Sequence, residues 1–116
     1  MEDMAKTKAS MNIAGLELAH MQSGAAEACR LMKVLSNPDR LLLLCQLSQG
    51  EKRVGELEEI LGIVQPTLSQ QLSLLRDEEL VSTRRDGKNI YYQMTSPRAL
   101  AVMQVLYQHF CGPDKE

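Results

Sequence analysis

The run VGELEEILGIVQPTLSQQLSLLRD, from Val54 to Asp77, constrains this chain more than any other segment. Val54, Leu57, Ile60 and Leu61 recur at helical spacing and predict a short helix. Gly62 is placed to end it, with Ile63 and Val64 as the turn. A second helix is expected from Gln65, with Pro66 near its first turn. In it Leu68, Leu72 and Leu75 lie at i, i+4 and i+7 and make one inward stripe. The opposite face carries Gln65, Thr67, Ser69, Gln70 and Ser73, all polar and uncharged. Two short helices about a tight glycine turn, the second polar on its outside, form the helix-turn-helix pattern.

The flanks extend that pattern. Residues 1–10 are polar and read as a frayed tail. From Met11 to Leu35 the spacing of Ala25, Ala28, Met32 and Leu35 predicts helix, with Gly15 and Gly24 allowing either two helices or one kinked helix. Asn37 can cap a new helix with Pro38 at its first position. That helix runs through DRLLLLCQLS towards Gly50, and its four leucines predict that it is largely buried. After Asp77-Glu78-Glu79, Leu80–Arg84 reads as a strand, Arg85–Lys88 as a turn containing the Asp-Gly hairpin signal, and Asn89–Met94 as the returning strand. A last helix is expected from Arg98 to about Cys111, with Ala99, Met103, Leu106 and Phe110 as its stripe, leaving residues 113–116 as a tail. The expected fold is mainly α with a small β-hairpin wing, in the order α-α-α-α-β-β-α, as one domain over residues 11–112.

Composition agrees. A chain of 116 residues holds one modest core. Aromatics are 3%, Trp is absent and Met numbers 7, so Leu, Met, Ala and Val must fill a helical interior. The start MEDMAKTKAS lacks the apolar stretch of a signal peptide. No segment approaches about 18 continuous apolar residues. A cytoplasmic protein without a membrane span is expected. Nothing pairs a nucleophile with a base, and no cofactor loop is present, so neither an enzyme nor a cofactor is expected.

The polar helix face suits base reading. Gln can bond adenine N6 and N7 together, while Ser and Thr donate or accept. Gln65, Thr67, Ser69 and Gln70 cluster at the helix N-terminus, the end that normally enters the major groove. Arg76 could reach a phosphate from the same helix. The hairpin carries Arg84, Arg85 and Lys88 against one acid, Asp86, a composition fit for phosphate or minor-groove contact. A net charge of −2 argues against indiscriminate binding and places any phosphate contacts on these few cations. A solvated polar face and a basic hairpin on a protein-interaction module is the alternative.

The segments Leu35–Arg40 (LSNPDR), Val54–Leu57 (VGEL), Gln65–Leu72 with Leu74–Arg76, and Arg84–Lys88 (RRDGK) followed by Ile90-Tyr91-Tyr92 resemble the ArsR family of bacterial dimeric repressors over nearly the whole chain. The resemblance implies a winged helix-turn-helix, a homodimer built from the first and last helices, and an inverted-repeat DNA operator. Val64 departs from the family pattern, in which Ser or Gly often precedes the reading helix.

Three cysteines remain. Cys29, Cys45 and Cys111 form neither a disulfide framework nor a CxxC pair. By its neighbours Cys45 reads as a buried thiol, and Cys111 lies near a helix C-terminus, where the dipole disfavours thiolate. Cys29 reads as a small core or interface residue. The family's known metal patterns need cysteines on the helix VGELEEIL, or Asp and His on the last helix. The first has none and the second holds only His109, so no metal is expected. The placement of Cys45 and Cys111 instead resembles the sulfide-responsive branch of the family. There the implied pair reacts with persulfide or polysulfide inducers and becomes joined by a disulfide or a short sulfur chain, which releases DNA from sulfide-detoxification genes. A similar redox-responsive branch implies an oxidant-sensing regulator of virulence promoters.

Overall fold

The computed structural model describes residues 15–112. The expected tails at 1–10 and 113–116, and the expected helix start at 11–14, lie outside them. The chain separates into two units, one ending at Met32 and one beginning at Lys33. Its elements are α1 (Leu18–Leu35), α2 (Pro38–Leu47), β1 (Lys52–Arg53), α3 (Val54–Leu61), α4 (Thr67–Asp77), β2 (Val81–Asp86), β3 (Asn89–Met94) and α5 (Pro97–Phe110). This is a mainly helical winged helix-turn-helix with one small antiparallel sheet. No helix among the described residues is long and apolar enough to cross a membrane.

The helix starts follow local chemistry. α1 runs unbroken through Gly24. Asn37 is extended and its Oδ1 accepts the Arg40 N–H at 3.1 Å, with Pro38 in the first turn of α2. Ser96 caps α5 in the same way, accepting from Ala99 N–H at 3.1 Å. An Asn37→Ala variant should lose about 1 kcal/mol of stability. A urea midpoint equal to that of the wild type would show the cap to be dispensable.

The core of the second unit is aliphatic. Leu43, Leu44 and Leu47 of α2 pack with Leu57 of α3, Leu68, Leu72 and Leu75 of α4, and Leu80, Val81 and Ala99, all buried. α2 is less enclosed than its leucine run suggests, because Leu42 is exposed. Four consecutive helical residues step by about 100° each and cover the whole circumference, so one of them must face outward.

The sheet has the order β1-β3-β2, all antiparallel. β1 was not expected from the sequence. Its two residues carry no alternation, and it exists only by pairing Lys52 with Tyr92 and Arg53 with Tyr91. The hairpin is tighter than expected. Asp86 pairs with Asn89, so the loop is Gly87-Lys88 alone, with Gly87 at φ 65°.

α4 begins two residues later than the sequence suggested. Gln65 lies outside it and Pro66 is the cap residue, because a residue preceding proline is disfavoured in α conformation. At the other end Glu79 adopts φ 63°, with its N–H bonded to Arg76 O and the Leu80 N–H bonded to Leu75 O. This is a Schellman ending in which Glu holds the place usually taken by Gly.

Candidate nucleic-acid interface

α3 ends at Gly62, whose φ of 72° is the left-handed cap that turns the chain towards α4. Leu68, Leu72 and Leu75 anchor α4 inward, so its other face must point to solvent. Ser69, Gln70, Ser73 and Arg76 are exposed there, and Thr67 is half-buried. None of their side chains has a hydrogen-bond partner among the described residues. Gln65 is also exposed, but its Oε1 accepts the Ser69 N–H at 3.1 Å. It supplies the side-chain cap that Val64 cannot.

The wing cations divide by side. Arg84 lies across from Tyr91 on β3, and its guanidinium sits 4.4 Å from the centre of that ring. Arg84 Nε donates to Glu51 Oε2 at 2.9 Å, and Nη2 donates to Oε1 of the same carboxylate. These bonds lower the Glu51 carboxyl below its ordinary pKa and raise that of the guanidinium, with desolvation opposing both. Arg85 and Lys88 are exposed and unpaired among the described residues.

Sequence reasoning missed Arg40. Its Nη1 donates to Gln71 Oε1 on α4 at 3.0 Å, while Nε and Nη2 reach the carbonyls of Val34 and Lys33. One side chain thereby satisfies carbonyls at the end of α1 and holds the hidden flank of α4. No spacing signal connects positions 40 and 71.

Cys29, Cys45 and Cys111 are free thiols. Cys45 is half-buried on α2, and Cys111 is exposed as the C-cap of α5. Cys29 is exposed on α1, which removes the core reading of it. Among the described residues no three His, Cys, Asp or Glu side chains are grouped to hold a metal ion.

A helix-turn-helix with a polar reading face, followed by a basic hairpin, defines a winged helix-turn-helix DNA-binding regulator. Residues 37–83 match the family described as "Bacterial regulatory protein, arsR family". The biofilm growth-associated repressor of Agrobacterium fabrum is 45% identical over 105 residues, covering 90% of each chain. The crystal structure of the transcriptional repressor BigR from Xylella fastidiosa matches at a TM-score of 0.79 and 47% identity, covering 83% of this chain and 98% of that one. The transcriptional activator HlyU of Vibrio cholerae is 36% identical over 98 residues, 84% of this chain and 91% of its own. The chain belongs to the arsR family and is a DNA-binding transcriptional repressor of that type.

Proposed function

We propose that the chain acts as a homodimer that represses from an inverted-repeat operator and lets go when persulfides bridge Cys45 to Cys111. The observation that carries the DNA reading is the polar face of α4, together with Arg85 and Lys88, all without side-chain partners among the described residues. Gln65, Thr67, Ser69, Gln70 and Ser73 would meet base edges. Arg76, Arg85 and Lys88 would meet phosphates. Arg84 was expected among them but is already paired within the protein. Dimerisation through α1 and α5 is supported by the apolar side chains that each helix leaves exposed: Leu18, Met21 and Met32 on α1, and Val105, Tyr107 and Phe110 on α5. A two-fold dimer places two reading helices on half-sites one helical turn apart, about 10 base pairs.

The switch rests on two free thiols in the unit that begins at Lys33. The Cys111 thiolate attacks the sulfane sulfur of a persulfide RSSH, leaving Cys111–SSH and RSH. Cys45 then attacks the Cys111 sulfur and expels hydrosulfide, so the sulfane sulfur is reduced as the disulfide forms. A second persulfide would be needed to leave a sulfur atom inserted in the bridge. Bridging two such distant positions would tie α5 to the helix that precedes the reading head and turn the two heads out of register.

The test uses a duplex selected in vitro from a random pool by the reduced wild-type protein. A persulfide donor should abolish binding and add an intramolecular bridge seen by intact mass, and Cys45→Ser should retain binding under the same treatment. Unchanged wild-type affinity, or a Cys45→Ser variant that still responds, would sink the switch. The resemblance of the Cys45 and Cys111 placement to the redox-responsive branch of the family favours a second reading, an oxidant-responsive regulator. Release by hydrogen peroxide but not by persulfide would select it.

A further inference from the structure

We infer that Arg84 is a positioning residue that sets the angle of the wing, held by Glu51 and Tyr91, and that it is not one of the phosphate contacts. The inference rests on the DNA-binding reading above. Its ground is where the contact falls in the sheet. β1 supports β3 laterally only at Lys52–Tyr92 and Arg53–Tyr91. Beyond that rung the hairpin continues as two strands, through Arg85–Ile90 and Asp86–Asn89. An isolated two-stranded ribbon is marginal by itself. Arg84 pairs with Tyr91 on this last supported rung, where the wing leaves the body of the unit. Glu51 stands immediately before β1, in the segment leaving α2, and grips Arg84 through two nitrogens. The three groups therefore pin β2 to β3 and to the body at the root of the ribbon.

Chemistry also argues against a phosphate role for Arg84. Its Nε and Nη2 are already committed to a carboxylate. A phosphate approaching the same fork would meet the Glu51 charge as well. The next residue has the opposite assignment. Strand alternation turns Arg85 to the other face, where it is exposed and unpaired among the described residues. Adjacent arginines thus divide between holding the wing and presenting a cation.

The two roles for Arg84 give opposite signs in one experiment. Binding to the selected duplex is measured against salt for the wild type, Glu51→Gln, Arg84→Gln and the exchanged pair Glu51→Arg/Arg84→Glu. With a positioning role, Glu51→Gln weakens binding although it removes a negative charge, by roughly 2- to 30-fold, the range spanned by two exposed ion pairs in one dimer. The exchanged pair recovers most of that loss, because the contact is remade with its charges reversed. Tighter binding by Glu51→Gln with a steeper salt slope would make Arg84 a masked phosphate contact and overturn the inference. Unchanged affinity in Glu51→Gln, or an exchanged pair no better than Arg84→Gln, would overturn it too. Arg85→Gln/Lys88→Gln is the control for the parent reading. If that variant also binds like the wild type, the wing has no role in DNA binding and the parent reading is what fails. Thermal melts of each variant separate misfolding from these outcomes.

Discussion

Replacing Gln70 by Ala is expected to cost the dimer about 2–6 kcal/mol of affinity for the selected duplex, because each half-site then lacks one bidentate pair of hydrogen bonds to a base, at about 1–3 kcal/mol apiece. Binding to a scrambled duplex of equal length, which depends on phosphates, should change little. Gln70 suits this measurement because its side chain is exposed and has no partner among the described residues. Gln65 does not, because it also caps α4 through the Ser69 N–H, so its removal mixes recognition with stability. Equal losses on both duplexes, or none on either, would show that Gln70 reads no base.

The second large effect concerns the other face of the same helix. Leu68→Ala is expected to destabilise the fold by about 2–5 kcal/mol, the cost of deleting a buried leucine whose cavity collapses only in part. Leu68 is 0% exposed, with Leu72 and Leu75 beside it on the stripe. Domains of this size have only about 5–15 kcal/mol in total, so a large share of the stability would go. Urea unfolding at fixed protein concentration should show a lower midpoint with an unchanged slope. A loss below about 1 kcal/mol would mean that the stripe is not the anchor of α4.

Much of the architecture is written in local chemistry. Asn37-Pro38, Gly62 and Asp86-Gly87 each mark a boundary through a cap, a left-handed residue or a hairpin loop, and helices and strands begin or end beside them. The spacing of Leu68, Leu72 and Leu75 tells inside from outside on α4. What escapes a sequence reading depends on partners distant along the chain. β1 is a strand only because β3 comes alongside it. The bonds of Arg40 to Gln71 and of Arg84 to Glu51 join positions 31 and 33 apart, and no periodicity reports them. The polar pattern carries Gln65 into the helix, whereas the restriction that Pro66 imposes on it keeps it out. Glu79 ends α4 in a conformation that its side chain gives no hint of. The reading face is therefore legible as a set of residue types. Which of its members are already occupied is not.

The pairing of Arg84 with Glu51 has a consequence for how the protein searches a chromosome. It leaves Arg76, Arg85 and Lys88, unpaired among the described residues, as the cations proposed for each reading head. In a dimer these six would give a salt exponent of only about −5, since each neutralised phosphate contributes about −0.9. Affinity for random DNA rests on that same electrostatic term, so the genome would be a weak competitor for this protein. More of the population would stay in solution, where the proposed inducer would reach Cys111, an exposed thiol. A copy released from the operator would not then be retained by neighbouring sequence. With the proposed switch, a sparsely charged head would make for a fast and complete derepression, obtained by giving up non-specific grip.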